Sequence, residues 1–214
     1  MKFYRPYMTA LVLLIVLAAC GIVRESPDPI RSYLLEIPGG DIGGRVQLSS
    51  EIASLPSLLI GVPEPAPGFE SSRMAYVQVP HELNYFGMSQ WVESPARMLT
   101  PLLVQSLEQS GMWGSVTPMP TSIRADYRLD LSHVVLVQDF LQQPSHVRLE
   151  WRGQLVDLKD WQVLGSRMFG REEEAVSEDA YGGVLAAQQA LRHLLMDLQE
   201  WMVGCLKEDS SAHC

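Results

Sequence analysis

Cysteine is scarce in this chain, three residues in 214, and its five histidines stand singly. No Cys-x-x-Cys pair, no His-Glu-x-x-His and no Gly-x-Ser-x-Gly elbow is present. A zinc hydrolase, a dithiol exchanger and a serine hydrolase therefore lack their local marks, and no catalytic residue is assigned. Basic residues are also few, 16 against 25 acidic. Like charge repels phosphate backbones, so nucleic acid is excluded as a partner. The glycine doublets Gly39-Gly40 and Gly43-Gly44 flank an aspartate with no Lys-Ser/Thr behind them, which reads as turn chemistry and not as a phosphate cradle. No cofactor is expected. Finally, the longest apolar run, around Leu11 to Leu17, is about a dozen residues. That is short of the roughly 20 a membrane-spanning helix needs.

What that run does fit is a secretion signal: Lys2 and Arg5 give a basic start, the apolar stretch a middle, and Ala18-Ala19 a small-residue end over residues 1–19. Leu17-Ala18-Ala19-Cys20 resembles a bacterial lipobox. The resemblance implies diacylglycerol on the Cys20 sulfur, cleavage before it and acylation of the new amine. Gly21 at the next position, in place of Asp, resembles lipoproteins passed on to the outer membrane. Several acyl chains, at about 0.8 kcal/mol per buried methylene, hold a soluble domain on a bilayer. Loss of Lys2 and Arg5 leaves 14 basic residues against 25 acidic, net −11. Membrane contact should then come through lipid and not through a basic patch. Residues 20–30, with Ser26-Pro27-Asp28-Pro29, read as a stiffened tether.

From Arg31 to about 207 the chain is long enough for one domain with its own core. Arg31 to Ile37 reads as a first strand and Leu58 to Val62 as a buried one. Pro63, Pro65, Pro67 and Gly68 then predict an extended surface loop. Met74 to Pro80 and His81 to Trp91 alternate with a period of two, Ala75, Val77 and Val79 on one face, and Leu83, Tyr85 and Trp91 on one face of the second. They predict adjacent strands turning at Pro80-His81-Glu82. Met98, Leu99, Leu102, Leu103 and Leu107 line one side of a helix that Ser94 and Pro95 begin and Gly111 ends. Because that spacing runs through Pro101, one kinked helix is preferred to two.

Strict alternation returns at Tyr127-Leu129-Leu131 and at Val147-Leu149-Trp151-Leu155, predicting antiparallel strands with one wet face. Trp161 to Phe169 is a further strand, with His133 and His146 on the surface or rim. Arg171-Glu172-Glu173-Glu174 reads as a solvated connection, and Ser177-Glu178-Asp179 as an acidic helix start. Val184, Ala187, Leu191, Leu194, Leu195, Leu198, Trp201, Met202 and Cys205 then recur at helical steps. Core packing is the plain reading of that face; at Trp201 and Met202 an edge contacting a partner or lipid is the sharper one. Cys205 and Cys214 either bridge into a C-terminal loop or stand as a core thiol and a tail thiol in 208–214. His213 beside Cys214 is too few ligands for a metal site. The fold class is α/β (α+β): a mixed, largely antiparallel sheet with two main helices on one face.

In this order, Cys20, Tyr33-Leu34-Leu35, Leu58-x-Ile60-x-Val62 with its prolines, Met74-Ala75-Tyr76, Leu83-x-Tyr85-Phe86, Trp91 before Pro95, the Leu129-Asp130 strand and the closing helix resemble the ABC-type transport auxiliary lipoprotein family. The resemblance implies a non-enzymatic lipoprotein of transporters built on mammalian-cell-entry (MCE) domains. Its partners would be the MCE-domain protein with its permease and ATPase, in moving lipid between membranes. Self-association is left open. The alternatives are an outer-membrane lipid carrier or assembly lipoprotein with an apolar cavity, and a structural lipoprotein on the cell wall.

Overall fold

The computed structural model describes residues 29–37 and 55–207. In chain order these form β1 (Arg31–Tyr33), β2 (Ser57–Ile60), β3 (Arg73–Val77), β4 (Asn84–Trp91), α1 (Pro95–Gln109), β5 (Ser115–Pro118), β6 (Tyr127–Asp139), β7 (His146–Asp157), β8 (Gln162–Glu174) and α2 (Ala180–Lys207). The glycine doublets lie outside the described residues.

β6 organises the sheet. Along one side it pairs antiparallel with β7 over its full length, and β7 pairs likewise with β8. Its other side is shared by two strands, β2 along Tyr127–Leu129 and β3 along Val137–Asp139, both parallel. β5 lies parallel outside β2, and β4 then β1 lie outside β3. The mixed sheet curls into a half-barrel with both helices against its inner face.

The helical spacings place core residues as expected. Met98, Leu99, Leu102, Leu103 and Leu107 of α1 are buried, as is every apolar position from Val184 to Cys205 read onto α2. They meet Leu129, Leu131, Leu149, Trp151 and Leu155 of the sheet in one cluster. Each fully buried leucine contributes on the order of 2 kcal/mol. Pro101 sits inside one helix, on its exposed side. The carbonyl of Arg97, which loses a donor to that proline, is on the same wet side, where water can satisfy it. Gly111, at φ 69°, ends α1 in the left-handed conformation that glycine adopts without a Cβ clash.

Several expectations are corrected. The first strand is three residues, not seven, although Leu35 and Ile37 beyond it are buried. The proline segment is no free loop: Glu64 N donates to Leu131 O and Ala66 N to Val134 O. Pro63, Pro65 and Pro67 alternate with those donors, so the missing N–H groups fall on the side turned away from β6. Leu83, Tyr85 and Trp91 do not share a face. The β3–β4 register pairs Ala75 with Tyr85 but Arg73 with Gln90. Three extra residues of β4 in that interval reverse the side-chain phase. Tyr85 consequently packs on a small outer cluster of Ala66, Ala75, Val135 and Val137, while Trp91 enters the main core. Arg171 to Glu174 belong to β8 and not to a connection.

Candidate interaction surface

Several charged side chains of this fold fasten one segment to another. The carboxylate of Asp126 accepts hydrogen bonds from the backbone N–H and the hydroxyl of Ser57, both at 2.7 Å, which hold its pKa below the usual aspartate value. They fix the start of β2 to the start of β6. Asp179 is the residue that caps α2. It accepts from Gly182 N at 2.8 Å and the Ser177 hydroxyl at 2.7 Å, and its pKa is lowered by the same two bonds. Burial pushes the Tyr127 hydroxyl up. On β8, Arg171 forks onto Asp197 with two bonds of 2.8 Å, and Glu173 meets His193 Nδ1 at 2.6 Å, both reaching α2. No two of these groups share a cavity among the described residues. His133 is exposed on a β6 bulge and His146 lies at the rim of β7, not beside it.

A pocket between β3, β4, β6 and the start of α2 is lined by Met74, Phe86, Trp91, Leu136, Gln138 and Val147. Its volume is about 10 Å³. That is room for about one water and not for an acyl chain. Buried Gln138 donates to Ser145 Oγ at 3.0 Å and turns its Oε1 toward Gly183.

The surface offers more. In the parallel pair β1–β4, Arg31, Ser32 and Tyr33 stand abreast of Ser89, Gln90 and Trp91. Abreast residues of parallel strands project to the same face. Tyr33 and Trp91 project into the core, whereas Gln90 Nε2 donates to Ser32 Oγ at 3.1 Å on the outer face. Just beyond these pairs, Ile30 and Met88 precede the two paired stretches and Leu34 and Val92 follow them, with Val92 N–H donating to Tyr33 O at 2.9 Å. These four apolar side chains are 56, 47, 53 and 48% exposed. Tyr181, also exposed, packs on Tyr33 from the other side with ring centroids 6.2 Å apart. At the opposite end of β8, the turn from β7 lifts Trp161 into water, 73% exposed at φ 56°.

Of the residues singled out by sequence, Cys20 and Cys214 lie outside the described residues. Cys205 is buried in the last turns of α2. Trp201 and Met202 are 6% and 0% exposed. Trp201 packs edge-on against Phe169 at 5.4 Å, so the plain core reading holds and a partner-facing edge there does not. The β1–β4 stripe went unread because it exists only once two strands distant in sequence are laid side by side.

Comparison with known proteins places the chain. A family model described as "ABC-type transport auxiliary lipoprotein component" matches residues 41–198. No curated protein matches. Among solved structures, protein XCC0632 from Xanthomonas campestris is similar at 22% identity, over 86% of this chain and 98% of that one, with a TM-score of 0.66. An uncharacterized protein follows at 11% identity, 82% and 99% coverage and TM-score 0.60. The hypothetical protein CT253 from Chlamydia trachomatis has 6% identity, 73% and 100% coverage and TM-score 0.50. Identities this low establish a shared fold alone. The family match spans well over half of the chain, and the chain therefore belongs to the ABC-type transport auxiliary lipoprotein components.

Proposed function

We propose that this chain is the auxiliary lipoprotein of an MCE-type ABC transporter that moves phospholipid between membranes. Acyl chains on Cys20 fix it to the outer membrane, its globule faces the periplasm, and it acts by holding and guiding the transporter, with no catalytic step of its own. The family assignment over residues 41–198 carries this reading, since it supplies both the lipoprotein and the ABC-transport association. Membership does not distinguish an adaptor from a lipid carrier; the pocket favours the adaptor. At about 10 Å³ it is far too small for an acyl chain, whereas a carrier must enclose one. A Cys205–Cys214 bridge, pinning the tail to the end of α2, belongs to the same reading. Non-reducing mass analysis should find it as the loss of two hydrogens.

The partner claim is tested by mild crosslinking in native membranes followed by capture of this lipoprotein. The MCE-domain protein should be recovered, with permease and ATPase behind it. Its consistent absence, with the lipoprotein itself well recovered, would remove the MCE assignment.

A further inference from the structure

We propose that the outer face of the β1–β4 edge, carrying Ile30, Leu34, Met88 and Val92, is a bilayer-contact surface that lays the domain down against the membrane to which it is anchored. The inference rests on Cys20 acylation as proposed above. Elsewhere on the outer face exposed apolar side chains stand singly among polar ones, as Met168 does opposite Arg152. Arg128 pairs with Asp130 and Arg148 with Glu150, each at 2.8 Å, and Phe69 packs on the small apolar cluster beneath Tyr85. On β1–β4, four half-exposed apolar side chains flank the single Ser32–Gln90 rung with nothing described above them.

Covalent reach singles out the bilayer as the occupant. Ile30, the first member of the stripe, is ten residues beyond Cys20. Ten residues span at most about 35 Å. Acyl chains at Cys20 thus hold the stripe near the lipid surface, where contact is intramolecular and a patch too weak to bind alone suffices. With a net charge of −11 once the signal is removed, the surface suits zwitterionic headgroups better than anionic ones.

Photo-crosslinking of the acylated chain in phosphatidylcholine vesicles tests this. Leu34, Val92 or, as a distant reference, Trp161 is replaced by p-benzoylphenylalanine, and adducts are read by intact mass after irradiation. Trp161 lies in the β7–β8 turn, on the far side of the sheet from β1, so phospholipid adducts at 34 and 92 should exceed those at 161 about tenfold. Equal yields at all three positions, no lipid adduct at 34 and 92, or a protein–protein adduct there would overturn the proposal. Acylation is read by mass before irradiation: an unmodified Cys20 counts against the anchor and, with the tether gone, against this surface too. Acylated protein without lipid adducts counts against the surface alone.

Discussion

Asp126 and Asp179 act at opposite ends of the β7–β8 ladder, each as a carboxylate saturated by nearby donors. Their folded pKa values lie below the ordinary 3.8. A carboxyl lowered on folding contributes stability that is full above its unfolded pKa and is lost as pH falls through that value to the folded one. Asp179→Ala should therefore cost about 1 kcal/mol in urea unfolding at neutral pH, as loss of an N-cap does. Asp126→Ala should cost about the same, discounted for its exposure. Both differences should shrink once pH drops below 3.8. A cost that stays constant with pH would show that the charged carboxylates are not what matters. The acidic start of α2 was legible in sequence because capping is local. The Ser57–Asp126 bond was not, since it joins residues 69 apart.

Helices and long strands were legible for the same reason that a cap was. Their periodicity is written in consecutive residues, and α2 buries every apolar position its spacing named. The four parallel contacts, β1–β4, β2–β5, β2–β6 and β3–β6, are not, because a crossover leaves no local trace. Nor is the β4 irregularity that sends Tyr85 and Trp91 to different faces. The seating of α2 tests this picture of the elements. A Cβ at Gly182 would fall inside the backbone carbonyl of Ser177, while one at Gly183 would meet only the amide tip of Gln138. Backbone moves less readily than a side chain, so Gly182→Ala should cost about 3 kcal/mol and Gly183→Ala nearer 1 kcal/mol. Combining Gly183→Ala with Gln138→Ala should cost less than the sum of the two. Equal costs and strict additivity would mean that the helix start is not packed against β6 in this way.

The whole molecule has two ends. One gathers β1, the start of α2 and the point where the chain from Cys20 enters; the other carries the turn with Trp161. On the function proposed above, this acidic globule with a pocket the size of one water holds and guides a partner near a membrane, and its confinement there would depend on one thiol. The domain's fold could be read only in part from sequence, whereas Leu17-Ala18-Ala19-Cys20, the anchor of the proposal, is a contiguous resemblance. Intact-mass analysis of the chain extracted from its native membrane is therefore the most direct test. The account predicts a mature protein beginning at Cys20 and heavier by a diacylglycerol and an amide-linked acyl chain. An unmodified cysteine, in protein recovered from the soluble fraction, would contradict it.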